Sequence, residues 1–185
     1  MKTLIFNGSP RINGDTQSLI SIIIQNIKDE YKIVNAYRCT ISPCLDCRYC
    51  WKNRGCAIDD EMQEVYSYIQ KCDNILIASP IYFSELTGKL LDVGSRLQTY
   101  FCAKFFRKEI AIPRSKKGAV ILVGGGDGYM NKAYETAQTL LHHMNLLYSK
   151  ILLKKKIKIP QQSNKLIMNK GYSYVYYNNF GNILN

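Results

Sequence analysis

Acidic residues are scarce in this chain of 185 residues, 14 against 25 lysines and arginines, and from Thr136 to Asn185 there is none. The net charge of +11 is therefore localised. Lys104–Lys117 carries six basic residues and one acid, and the acid-free end carries seven lysines. Such stretches could offer a basic face to an anionic partner. A solvated surface with a basic tail is the simpler account, and no nucleic-acid-binding motif accompanies the charge, so nucleic acid is not an expected partner. Nor is there a run of about 18 uncharged apolar residues, which argues against a membrane-spanning helix. The start, MKTLIFNGSPR, meets turn residues after only a few apolar ones, too soon for a signal peptide. A soluble, cytoplasmic protein with no membrane partner is expected. The seven cysteines are odd in number and four of them fall in PCLDCRYCWKNRGC, residues 43–56, which does not resemble a secreted disulfide framework.

What is present is an alternation of short apolar runs and amphipathic stretches. Thr3–Phe6 reads as a buried strand closed by Asn7-Gly8-Ser9-Pro10. A helix follows from Asp15, taken as its N-cap, to about Glu30. Strands are expected at 31–37, 74–78, 118–123 and 148–159, and helices from Asp59-Asp60-Glu61 onward, over 86–101 and over 129–144. Asp59 and Asp60 are read as helix caps rather than an acid–base pair. The 46% apolar content supports one core. Strictly alternating strands and helices specify a parallel sheet covered on both faces, with ligands beyond the carboxyl ends of the strands. The stretch 161–185 shows no periodicity and is expected to be an arm or tail beside a domain of residues 1–160.

Three strands end in turn-rich loops that such a sheet brings to one edge. GSPRINGDTQS offers Ser9, Thr16, Gln17 and Ser18 as hydrogen-bonding groups, Arg11 as a cation and the N–H groups of a helix start, a set suited to a phosphate dianion. It contains neither G-x-G-x-x-G nor GK[ST], so it is neither a dinucleotide fingerprint nor a P-loop. SPIYFSE puts Tyr82 and Phe83 just past a strand end, where a flat ring could lie. GGGDGYM allows close backbone approach.

The order strand-GSPR-x-x-G-x-T, C-x2-C-x2-C, strand-SPIYF, strand-GGG resembles the flavodoxin-like family of NAD(P)H-dependent FMN reductases, in the branch similar to iron–sulfur flavoproteins. The resemblance covers roughly residues 1 to 147. It implies a flavodoxin-like doubly wound α/β fold with a five-stranded parallel sheet and helices on both faces. It also implies an FMN with its phosphate held by Ser9, Arg11, Asp15, Thr16, Gln17 and Ser18. The ring would lie beside Pro80, Ile81, Tyr82, Phe83 and Ser84, with Gly124, Gly125 and Gly126 at its other edge. Asp15 stands where such sequences usually carry Asn. The implied enzyme takes electrons from NAD(P)H and passes them to a quinone, a flavin or another small acceptor, with no catalytic side chain needed, and it is a homo-oligomer. Both histidines, His142 and His143, then read as packing or surface residues. Two other functions stand beside this one: an electron carrier serving a ferredoxin-like partner, and, less favoured, a nucleic-acid-binding module.

Short C-x2-C steps let thiolates converge from a tight loop, and the family branch implies a 4Fe-4S cluster at Cys44, Cys47, Cys50 and Cys56 within a cysteine loop spanning 43–58. An empty loop and a four-thiolate zinc site remain open alternatives. Cys39, Cys72 and Cys102 read as buried small apolar residues. Trp51 could pack over a cluster or a flavin, or simply anchor the loop.

Overall fold

The computed structural model describes residues 1–124 and 129–146, and the backbone of 155–156 and 172–177. Its elements are β1 (Lys2–Asn7), α1 (Asp15–Asn26), β2 (Glu30–Asn35), α2 (Tyr49–Lys52), α3 (Met62–Lys71), β3 (Asn74–Pro80), α4 (Gly88–Ser95), α5 (Gln98–Phe105), β4 (Lys117–Gly124), α6 (Asn131–His143), β5 (Lys155–Lys156) and β6 (Tyr172–Tyr177). The sheet order is β2-β1-β3-β4-β6-β5. The first four strands are parallel, with Asn7 level with Asn35 on one side and Ala78 on the other.

Period-two alternation in the strands divides the core between two faces. Leu4, Phe6, Ile75, Ile77, Val120 and Leu122 pack with residues of α3, α4 and α6, whereas Ile5, Leu76, Ala78 and Ile121 pack with Leu19 and Ile20 of α1. Truncating a fully buried member such as Ile20 to Ala would cost about 2–5 kcal/mol.

Four parallel strands are described, not five. The segment expected as a fifth parallel strand, 148–159, contributes only Lys155–Lys156 to the described backbone, and this pair runs antiparallel to β6. The free edge of β4 is instead occupied by β6, also antiparallel, which satisfies the edge hydrogen-bonding groups that a fifth parallel strand would have met. The rest of 148–159 and of the 161–185 stretch lies outside the described residues. Two smaller expectations also change. Gly14, not Asp15, is the N-cap of α1. The single helix expected over 86–101 is two, joined by a tight turn in which Arg96 N–H donates to Val93 O and Leu97 N–H to Gly94 O. Among the described residues no helix is long and apolar enough to cross a membrane.

Candidate functional site

Strand order reverses at β1 and β3, so the loops leaving their carboxyl ends lie side by side at the topological switch point. The contact between them is direct. Gly8 N–H donates to Ala78 O at 2.7 Å, and Thr87 Oγ1 donates to Gly8 O at 2.8 Å. A Cβ on Gly8 would sit 2.8 Å from Leu90 Cδ2 and 2.9 Å from Thr87 Oγ1, so this close approach requires glycine. Asn7 holds the loop from below. Fully buried, its amide donates to Gln17 Oε1 and Asn35 Oδ1, both at 2.9 Å, and its carbonyl oxygen accepts from Ser9 N–H at 2.9 Å. Ser9 Oγ in turn accepts from Arg11 N–H at 3.2 Å.

Of the residues expected around a phosphate, Ser9 and Thr16 are buried, Gln17 is half-buried, and Arg11, Asp15 and Ser18 are exposed. Gly14 makes no side-chain cap, and the one acid of the first helical turn is Asp15. Here the backbone N–H groups and the positive end of the helix are available to an anion.

The loop after β3 is a tight reversal in which Tyr82 and Glu85 exchange two hydrogen bonds of 3.0 Å. Its central residues, Phe83 and Ser84, have φ of 51° and 63°, a left-handed pair that non-glycine residues adopt at a cost of order 1–3 kcal/mol each. Phe83 at the tip is 101% exposed and Tyr82 is 44% exposed. Strain spent to present an aromatic ring to solvent beside an anion-ready loop points to a ligand platform. Pro80 and Ile81 lead into it, and Ile81 N–H donates to Val123 O at 2.9 Å, which brings the end of β4 and Gly124 alongside. Gly125 and Gly126 lie outside the described residues.

The cysteine loop follows β2. Cys44, Cys47, Cys50 and Cys56 line one open pocket, together with Trp51, Arg96 and Thr99 among others. The loop is pinned by its carbonyls: Arg96 donates to Ser42 O at 2.9 Å and Ile58 O at 3.2 Å, Gln63 to Cys56 O at 3.0 Å, Thr99 to Gly55 O at 2.9 Å, and Arg107 to Cys50 O. Trp51 stacks on Phe106 at 4.4 Å, and the Arg48 guanidinium lies 5.0 Å from the Trp51 ring centroid, which makes Trp51 an anchor of the loop. Burial, with Cys102 and then Cys44 nearby, pushes the Cys50 thiol up to about 12. Among the described residues, no three His, Cys, Asp or Glu side chains are placed to hold a single metal ion.

The N-cap of α3 is Glu61 rather than Asp59 or Asp60, while Asp60 Oδ1 accepts from Met62 N–H at 3.0 Å and its Oδ2 meets Arg96 Nη1 at 2.6 Å. Burial raises the Asp60 carboxyl, yet Arg96 and the Ser42 and Met62 N–H groups outweigh it, and its pKa lies below the ordinary carboxylate value. His143 packs edge-on against Phe101 with ring centroids 5.7 Å apart, and burial lowers its pKa.

The sequence matches the NADPH-dependent FMN reductase family over residues 1–155. The chain belongs to that family. An iron–sulfur flavoprotein of Methanocaldococcus jannaschii is 31% identical over 146 residues, which cover 77% of this chain and 69% of that protein. Solved structures similar in fold include an NAD(P)H:quinone oxidoreductase of Methanothermobacter marburgensis (TM-score 0.56, 17% identity, 76% of this chain and 75% of that one). Another is an FMN-dependent NADH-azoreductase of Bacillus anthracis in complex with FMN (TM-score 0.56, 14% identity, 79% and 83%). As an FMN reductase, the protein is an FMN-dependent oxidoreductase with NAD(P)H as electron donor.

Four residues of the two candidate sites were not singled out in the sequence: Asn7, Asn35 and Thr87 at the switch point, and Arg96 at the cysteine loop. The first two had a signal, because two asparagines closing adjacent strands at equal register can pair. Thr87 and Arg96 had none, since their partners are distant in the chain.

Proposed function

We propose that the switch-point loops form the FMN site of the enzyme and that the reduced flavin passes electrons to a quinone, a flavin or another small acceptor. The observation that carries this is the bond from Thr87 Oγ1 to Gly8 O, which locks an anion-ready helix start beside the strained aromatic turn. FMN supplies hydride and electron transfer when bound. The chain's own residues hold and orient it. Thr16, Ser9 and the N–H groups of the first turn of α1 receive the phosphate, and Arg11 balances its charge. Phe83, Tyr82, Ile81, Pro80 and Ser84 form the wall for the ring, with Gly124 at the far edge. The phosphate loop carries groups suited to one terminal phosphate, and the sequence has no second nucleotide fingerprint, which favours FMN over FAD. A homo-oligomer and a cytoplasmic location accompany this reading.

The test is a double Arg11→Ala, Thr16→Val variant. FMN binding should weaken at least tenfold, equivalent to about 1.4 kcal/mol, while riboflavin binding is unchanged. Equal losses for both flavins would move the phosphate elsewhere.

For the second site we infer a 4Fe-4S cluster on Cys44, Cys47, Cys50 and Cys56. In support, all four line the same pocket, and that pocket is also lined by Arg96, whose buried Nε has no partner. Thiolate ligands with a spare N–H donor suit a cluster, since hydrogen bonds to sulfur tune its potential. Anaerobic protein should carry about four irons and four sulfides per chain if the cluster is present. Colourless stoichiometric zinc, or four freely alkylated thiols after reconstitution, would reject it.

A further inference from the structure

Arg96 is a guanidinium taken entirely out of solvent: its side chain is 0% exposed, and its carboxylate partner Asp60 only 9%. The polypeptide on either side of the four cysteines converges on it. Nη1 donates to Ser42 O, two residues before Cys44, and to Asp60 Oδ2; Nη2 donates to Ile58 O, two residues after Cys56. The neighbouring Ser95 Oγ accepts from Cys44 N–H at 2.9 Å, and Arg96 O accepts from Tyr66 at 2.7 Å, so the backbone that carries the guanidinium is itself fixed. What is left over is Nε, buried and without a partner. A buried charged donor without an acceptor is costly and calls for a specific reason. Asp60 balances the Nη side of the group, and among the residues lining the pocket the one acid is Asp46, which is exposed and paired with Arg48 at 3.8 Å.

We propose that Arg96 is the positioning residue of the cysteine pocket. Its Nη groups close the two ends of the loop like a clasp, and its Nε–H is held in reserve for the sulfur of an anionic, thiolate-ligated group bound there. This rests on the cluster reading above and adds the residue that orders the thiols and sets the potential of the bound group. A donor aimed at sulfur stabilises the more negative, one-electron-reduced state and so raises the midpoint potential. Asp60, on the other side of the guanidinium, opposes it.

The experiment compares wild type, Arg96→Lys and Asp60→Asn, each reconstituted anaerobically with ferrous iron and sulfide and also studied metal-free. In the cluster-loaded proteins, Arg96→Lys, which keeps a charge but removes Nε and the fork, should lower the midpoint potential, whereas Asp60→Asn should not lower it. In the metal-free proteins, alkylation of the partly buried Cys44, Cys50 and Cys56 should be at least tenfold faster in Arg96→Lys than in wild type, with exposed Cys47 and buried Cys72 as internal controls that do not change. A purely structural role would speed alkylation in both variants and leave the potential of whatever cluster remains untouched, and that result would overturn the assignment of Nε. Unchanged alkylation in Arg96→Lys would overturn the clasp. A wild type that takes up no iron rejects the cluster reading and with it the role of Nε, while faster alkylation in Arg96→Lys would still support the clasp.

Discussion

Asn7 at the end of β1 donates a 2.9 Å side-chain hydrogen bond to Gln17 in the first turn of α1, which ties the strand to the helix across the loop expected to hold the phosphate. Asn7→Asp keeps the shape but removes both amide donors and places a carboxylate against Gln17 Oε1 and Asn35 Oδ1. The expected cost is about 1–3 kcal/mol in urea unfolding, the usual penalty for unsatisfied buried groups. FMN should weaken more than riboflavin. Asn74→Asp, at the opposite end of the sheet where Asn74 bonds Thr3, should destabilise without changing that ratio.

Two glycines on facing loops make a contrasting pair. Gly8→Ala forces a Cβ within 2.8 to 3.0 Å of Leu90, Thr87 and Ser79 and should cost about 1–3 kcal/mol by overpacking. Gly88→Ala has open space within 4 Å and begins a helix, so it should be neutral or stabilising by up to about 1 kcal/mol. Thermal denaturation of the two variants would separate them.

Much of this was legible in the sequence. Apolar runs ending in turn residues marked β1, β3 and β4, because burial on both faces leaves an uninterrupted apolar signature, and their loops marked the candidate site. Arg96 was not legible. LDVGSRLQTY falls inside the single helix expected over 86–101, and only partners 36 to 54 residues away in the chain reveal a buried clasp and the helix break beside it. Strand β6 had a signal that was passed over, since YSYVYY is rich in the residues that favour strands. Asp15 looked like a cap by residue type, yet the glycine before it adopts the extended backbone of the N-cap.

Phe83 should show a trade between stability and binding. Phe83→Gly relieves a left-handed φ of 51° and should stabilise the flavin-free protein by about 1 kcal/mol. The same change removes the exposed ring and should weaken FMN. If flavin affinity is unchanged, the turn is not the wall of the site.

Asp60 makes acid stability depend on one carboxylate. Its folded pKa lies below the ordinary value of 3.8, so the unfolded chain takes up the proton first as pH falls. The stabilisation is fully present above the unfolded pKa and is lost as pH drops through the folded one. Asp60→Asn should cost about 3 kcal/mol at neutral pH by leaving Arg96 buried without its counter-charge. Its urea midpoint should then fall less steeply below about pH 4 than that of wild type.

The most direct measurement is an anaerobic titration of the purified, FMN-loaded protein with NADPH, followed in the visible spectrum. The account predicts stoichiometric bound FMN whose absorbance is bleached by one equivalent of NADPH and recovers when a quinone is added. Protein that retains no FMN, or whose flavin is indifferent to NADPH and NADH yet is reduced rapidly by ferredoxin, would contradict it.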